Sequence, residues 1–194
     1  MKCKLMYKNV PSVNEMAHMI RLSRGANPFR EGLPDFNYKK DLQTVQNCYR
    51  SGHMSVFEFV DFTFAIQAPI YVARQLFRYR RGSYLERSLR YCDPLTVICD
   101  VDANLSGDYY ESLNRYQALI KAGLKKEEAR KVLPSFTPTQ FYVKYDAREL
   151  FHIFDERLNS TAQSETRELV KMMYDEVDSV TPWVTTVYDN KRAK

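Results

Sequence analysis

Residues 59–67 read Phe-Val-Asp-Phe-Thr-Phe-Ala-Ile-Gln, and no other stretch limits the fold so tightly. Val60, Phe62, Phe64 and Ile66 fall on one side of an extended segment, the period-two signature of a strand with one face in a core. Residues 2–8 alternate Cys3, Leu5 and Tyr7 with Lys2, Lys4 and Lys8, which predicts a strand with one wet face, and residues 139–145 predict a third. Elsewhere the period is helical. Ser12 with Glu15 three positions later is a capping-box pattern; Met16, Met19 and Ile20 give the helix its apolar side, and Gly25 can stop it. Residues 26–38, with Asn27, Pro28, Gly32, Pro34 and Asp35, predict a loop. A second helix is expected from Lys40 to Ser51, with Leu42, Val45 and Cys48 inward and Gly52 at its end. Pro69 and Gly82 bracket a helix of about a dozen residues. Residues 108–122, with Tyr109, Leu113, Tyr116 and Ile120 on one stripe, 125–132, stopping before Pro134, 147–158 and 164–178 predict the remaining helices. With no internal repeat, linker or low-complexity tract, the class is α+β, as one domain over residues 1–194.

Composition narrows the function. The hydrophobic share of 44% is enough for a real core. Only 6 glycines are present, and neither a GxGxxG nor a GxxxxGK[ST] phosphate loop occurs. The three histidines, His18, His53 and His152, lack metal-ligand spacing, so no metal is expected. Cys3, Cys48, Cys92 and Cys99 form no CxxC pair, and the chain opens on a strand pattern instead of a leader, which points to a reducing cytoplasm. No apolar run is long enough to span a bilayer, so no membrane partner is expected. The net charge of +5, from 29 Lys+Arg against 24 Asp+Glu, fits an anionic small molecule or weak nucleic-acid affinity.

The charge is concentrated. Residues 74–90 carry six arginines, no lysine, and a single acid, Glu86. On a helix running from Pro69 to Gly82, Arg74, Arg78 and Arg81 would share one side. A solvated basic face is the bland explanation for such a run. Three features favour an anion site. Arginine is suited to bidentate oxyanion recognition. The run follows the apolar segment Ile70 to Phe77, so the guanidiniums emerge at a core boundary. Ser83, Tyr84 and Ser88 interleave hydroxyls. Tyr79, Tyr84 and Tyr91 beside arginines would also suit stacked single-stranded bases, but the cluster is local and matches one phosphate group better, so a nucleic-acid partner is not expected.

The order of these residues is specific. Arg78-Tyr79-Arg80, seven residues, then Ser88, is similar to the Arg-His-Arg-x7-Ser motif of the flavin-dependent thymidylate synthases. The flanks agree: Ala68-Pro69-Ile70-Tyr71-Val72-Ala73-Arg74-Gln75 before it and Ser88-Leu89-Arg90-Tyr91 after it. So do Gly52-His53-x-Ser55-x-Phe57-Glu58 upstream, Ala129-Arg130-x-Val132-Leu133-Pro134 downstream, and the stretch from Asp146 to Arg157. The likeness runs from about residue 40 to about residue 165.

That resemblance implies helices packed on a mostly antiparallel sheet, a homotetramer with active sites between subunits, and a reaction. 2′-Deoxyuridine 5′-phosphate (dUMP) becomes thymidylate, with methylenetetrahydrofolate as carbon donor and FAD, reduced by NADPH, as hydride donor. The nucleotide would be held by Gln75, Leu76, Phe77, Arg78, Glu86, Arg87, Ser88, Leu89, Arg90, Arg130 and Arg157. Arg157, the catalytic residue, would touch the pyrimidine edge and favour its N3-deprotonated form, a fixed cation stabilising developing charge. The flavin would meet His53, Ser55, Arg78, Tyr79, Arg80, Glu86, Asp146, Arg148 and His152.

Each assignment has a plainer counterpart. Ser88 could cap a helix, Arg130 and Arg157 could pair with Glu127 and Glu156, and His53 and His152 could be ordinary half-buried histidines. The chain also departs from the family pattern: Tyr79 replaces the motif histidine, Leu85 stands where asparagine is frequent, and Asp146 where asparagine is expected near the flavin. Cys92 lies near the motif, but without a neighbouring histidine it is no evident nucleophile. Two alternatives stay open: a sister enzyme acting on another pyrimidine nucleotide or leaving a hydroxymethyl group, and a non-catalytic nucleotide- or single-strand-binding protein.

Overall fold

A computed structural model describes residues 1–29, 31–33, 36–97 and 106–192; Pro34, Asp35 and Cys99, named above, lie outside the described residues. Four strands, β1 (Lys2–Asn9), β2 (Asp61–Pro69), β3 (Ser83–Glu86) and β4 (Pro138–Asp146), form one sheet in the order β1-β2-β4-β3. Every neighbouring pair is antiparallel. The β2–β4 ladder runs from Asp61 opposite Asp146 to Pro69 opposite Pro138 and forms the centre of the sheet. The helices are α1 (Val13–Arg21), α2 (Tyr38–Arg50), α3 (Ile70–Leu76), α4 (Ser106–Lys121), α5 (Lys126–Ala129), α6 (Ala147–Arg157), α7 (Ser164–Val180) and α8 (Pro182–Arg192).

The alternation of residues 59–67 does what its period requires. Val60, Phe62, Phe64 and Ile66 are buried in the core together with Phe141, Val143 and Tyr145 of β4. On the other side of β4, Gln140, Tyr142 and Lys144 are exposed. The helices therefore cover one face: α7 packs on β1 and β2, α8 on α2 and α7, and α1 on α2. The strand begins two residues later than expected, because Ser55–Phe59 winds into a 3-10 turn that drops Phe57 into the core. The capping box forms: Glu15 N–H donates to Ser12 Oγ at 3.2 Å and Ser12 N–H to Glu15 Oε2 at 2.6 Å. Gly25, at φ 89°, closes the segment with a left-handed residue.

Two elements were not expected. β3 is a four-residue edge strand inside the arginine-rich run, where Tyr84 is its one half-buried side chain. α8 buries Trp183, Val184, Val187 and Tyr188 at helical spacing beyond the expected end of the last helix.

The helix expected between Pro69 and Gly82 is a correction. α3 stops at Leu76, with Phe77 as its C-cap. A continuing helix would offer the Leu76 carbonyl to the N–H four residues on. Here that carbonyl accepts from the Tyr145 hydroxyl at 3.2 Å, from the Tyr79 N–H at 3.1 Å, and lies 2.9 Å from the Tyr84 hydroxyl. The Tyr84 hydroxyl also reaches the Tyr79 carbonyl. Arg78 and Arg81 consequently lie in turns after the helix, and the shared face with Arg74 does not exist. Burial raises the pKa of both phenols, so they remain protonated donors.

Gly82 closes this turn against the same two rings. A Cβ there would come within 2.5 Å of Tyr145 Cε1 and of the Tyr84 hydroxyl. Gly82→Ala should therefore destabilise the protein by about 1–3 kcal/mol, the usual cost of overpacking. Gly107, inside α4 with nothing within 4 Å of its added Cβ, is the control. Gly107→Ala should leave stability unchanged or raise it by up to about 1 kcal/mol. Urea unfolding of the two variants checks both signs.

Candidate active site

The turn after α3 divides the arginines by partner. Arg81 Nη2 bonds Asp146 Oδ2 at 2.8 Å and Glu58 Oε1 at 3.1 Å, and Arg148 Nη1 bonds the same Glu58 oxygen at 2.6 Å. Asp146 also caps α6, accepting the Glu149 N–H at 2.8 Å, so this residue has a structural role before any ligand is considered. Arg87 bonds the Asp93 carbonyl at 3.0 Å, Gln140 Oε1 at 3.3 Å and the Thr96 hydroxyl. Arg78, Arg80 and Arg130 are exposed and make no hydrogen bond or ion pair among the described residues.

Tyr79 points the other way from its two neighbours. Its side chain is 6% exposed. The hydroxyl donates to Glu156 Oε2 at 2.8 Å and accepts from Arg157 Nε at 2.7 Å. Burial, and then the hydrogen bond to the Glu156 carboxylate, push the phenol up to about 12. The His152 ring meets the Tyr79 ring edge-on at 5.7 Å, and His152 Nε2 lies 3.7 Å from Glu156 Oε1. α6 explains the grouping: it buries Leu150, Phe151, Ile153 and Phe154 and turns His152 and Glu156 to the surface, where Arg157 ends its last turn. A cation there also complements the helix dipole.

The other expected residues form separate groups. Gln75 donates to Gln163 at the start of α7. Leu76 is fully buried and contributes its carbonyl to the tyrosine cluster, while Phe77 stacks edge-on with Tyr84 and Phe141. Glu86 accepts the Thr139 hydroxyl at 2.9 Å. Ser88 caps no helix; its Oγ accepts the Arg90 N–H at 3.2 Å in a turn next to half-buried Leu89. Arg90, not Arg130, pairs with Glu127, at 2.7 Å. Arg157 does approach Glu156, but at 3.8 Å, longer than its bond to Tyr79.

His53 and Ser55 line a cavity of about 1150 Å³ between α1 and α2, with Arg24, Lys40 and His18 among its walls. Arg148 and His152 line a second one of about 450 Å³ with Arg50, Arg81 and Asp155. Ser88, Arg90 and Arg130 line neither. The first cavity's contributions from α1 and from Lys40 and Thr44 of α2 carried no signal in a motif centred on residues 52–58, because the helices supply them by packing.

The Glu58 carboxyl is held below its ordinary 4.5, first by the Arg148 hydrogen bond and then by that of Arg81. A carboxyl lowered in the folded state adds stability that is present above its unfolded pKa and lost as pH falls through the folded one. NMR titration should place the Glu58 midpoint below 4.5, and Arg148→Ala should move it upward.

Comparison with known proteins fits this arrangement. A family model described as "Thymidylate synthase complementing protein" matches residues 4–183. The flavin-dependent thymidylate synthase of Thermotoga neapolitana is 39% identical over 145 residues, covering 67% of each chain. That of Saccharolobus solfataricus is 34% identical over 191 residues, covering 90% of this chain and 73% of its own. A UMP/dUMP methylase of Streptomyces cacaoi, solved with 5-Br dUMP, superposes with a TM-score of 0.84 over 97% of this chain and 94% of its own, at 21% identity, which extends the likeness to the whole fold. Matched by the family model over most of its length and by relatives above the level at which family is secure, the chain belongs to the flavin-dependent thymidylate synthase family.

Proposed function

We propose that this chain converts dUMP to thymidylate as a homotetramer with active sites between subunits, using methylenetetrahydrofolate, FAD and NADPH. The observation that carries this is the sorting of the arginines. Arg81, Arg87 and Arg148 are held by protein oxygens, whereas Arg78, Arg80 and Arg130 are exposed and make no hydrogen bond or close ion pair among the described residues, Arg130 acting on Glu128 only at longer range. Family resemblance assigns all three of the latter to nucleotide or flavin, and it also assigns there Arg87 and Arg148 from the held group. Guanidiniums left open in this way, Arg78 and Arg80 on the turn after α3 and Arg130 directly after α5, suit phosphate oxygens. The large cavity beside His53 and Ser55, with its cationic wall, fits part of an extended anionic cofactor. Separate groups on one chain also suit a site completed by other subunits.

In this reading Arg130 and Arg90, the latter exchanging its Glu127 partner for the ligand, grip the phosphate, with Ser88, Gln75 and Glu86 orienting the nucleotide. Arg157 presents a positive charge to the pyrimidine edge and stabilises the N3-deprotonated ring, raising electron density at the carbon to be methylated. Reduced FAD, when bound, supplies the hydride that completes the methyl group. His53, Ser55, Asp146, Arg148 and His152 belong to the flavin's surroundings. Among the described residues no helix is long and apolar enough to cross a membrane, and Cys3, Cys48 and Cys92 are free thiols.

Purified protein incubated with methylenetetrahydrofolate, NADPH and dUMP, UMP or dCMP in turn, with products identified by mass spectrometry, tests the proposal. Thymidylate from dUMP is expected. A hydroxymethyl product, turnover confined to another nucleotide, or a colourless protein that takes up no flavin contradicts it. Arg130→Ala should weaken dUMP binding about tenfold or more, since a charge-assisted hydrogen bond contributes roughly 1.5–3 kcal/mol; calorimetry measures it. Light scattering should give four chains per particle.

A further inference from the structure

We infer that Tyr79 is a positioning residue that fixes the orientation of Arg157 through the guanidinium Nε. The inference rests on the catalytic role proposed above for Arg157. Tyr79 stands where the family motif carries histidine, on a turn whose two flanking arginines face outward. Its phenol is 6% exposed. Arg157 Nε–H donates to the Tyr79 oxygen at 2.7 Å, and the Tyr79 O–H donates to Glu156 Oε2 at 2.8 Å. The Arg157 Cζ stands 5.6 Å from the Tyr79 ring centroid, and Nη2 lies 3.8 Å from Glu156 Oε2.

A guanidinium is a planar fork whose Nε–H lies on one edge and whose Nη nitrogens reach further out. Engaging Nε inside fixes that plane. Nη1 has no hydrogen-bond partner among the described residues, which leaves the outer end for a planar oxygen such as a pyrimidine carbonyl. The phenol suits the inner position because one oxygen donates and accepts at once. It passes the influence of the Glu156 carboxylate to Arg157 without a close ion pair that would hold the guanidinium away from a ligand. Burial and the Glu156 bond push the phenol up to about 12, so this donor–acceptor order persists across the working pH range. Phenylalanine would keep the ring, its packing and the cation–π contact, and lose only the order.

The test uses flavin-loaded protein in four forms: wild type, Tyr79→Phe, Arg157→Ala and the double variant. Tyr79→Phe should fold, with a melting point within roughly 5 °C of wild type. It should lower the rate of dUMP-dependent flavin oxidation about tenfold or more while changing dUMP affinity less, as misorientation of a catalytic group does. In the Arg157→Ala background the same substitution should have no further effect, the non-additivity expected when one residue acts through another. Equal losses in both backgrounds, or wild-type turnover in Tyr79→Phe, overturn the inference. The Arg157 Nε–H resonance in arginine-labelled, nucleotide-free protein gives a readout independent of turnover. It should be protected from exchange in wild type and lose that protection in Tyr79→Phe; unchanged protection overturns the inference whatever the activity. Wild-type turnover in Arg157→Ala, with the resonance still responding to Tyr79→Phe, would contradict the role of Arg157 under the proposed function and leave the contact itself standing.

Discussion

The carbonyl of Leu76 is the point on which the site depends. The hydroxyl of Tyr145, from β4, donates to it at 3.2 Å, and that of Tyr84, from β3, lies 2.9 Å away. Both rings belong to the sheet, so the end of α3 is tied to the two strands that follow it in space. Buried carbonyls need donors, and phenols that burial keeps protonated supply them here. The absence of a Cβ at Gly82 lets the chain turn tightly against these rings.

From that turn the division of labour follows. Tyr79 is drawn inward, beneath α6, while Arg78 and Arg80 are left on the surface. A straight continuation of α3 would have put Arg78 and Arg81 on the side of Arg74 and turned Arg80 away from them. The ended helix instead gives two outward cations flanking one inward phenol. Arg81 is then anchored by Asp146 and Glu58, at 2.8 and 3.1 Å. Asp146 caps α6, whose last turn carries Arg157. One short segment thus connects the sheet, the exposed cations and the guanidinium at the end of α6.

Much of the scaffold could be read directly from the residues. The alternation from Val60 to Ile66, the Ser12–Glu15 capping box and the apolar stripes of α4, α6 and α7 are local signals, and each element formed where its period required. The length of α3 could not be read this way. Pro69 and Gly82 are local marks, whereas the donor that ends the helix, Tyr145, lies 69 residues from Leu76 along the chain. The arginine run shows the same limit. Arg78, Arg80 and Arg81 are one residue type in one segment, and what separates them is whether Glu58 and Asp146 come within reach. Arg90 and Arg130 exchange roles toward Glu127 for the same reason. The motif placed the nucleotide and flavin candidates on this segment, but the inward turn of Tyr79 depends on Glu156 and Arg157, more than seventy residues downstream.

The central claim is that the turn after α3 presents Arg78 and Arg80 to ligand while keeping Tyr79 inside against Arg157. A crystal structure of the protein with FAD and dUMP bound tests it most directly. The account predicts Arg78 and Arg80 against ligand oxygens, Tyr79 still bonded to Arg157 Nε, and the outer nitrogens of Arg157 at the pyrimidine edge. A Tyr79 ring swung out onto the flavin, with Arg157 released toward Glu156 alone, would contradict it.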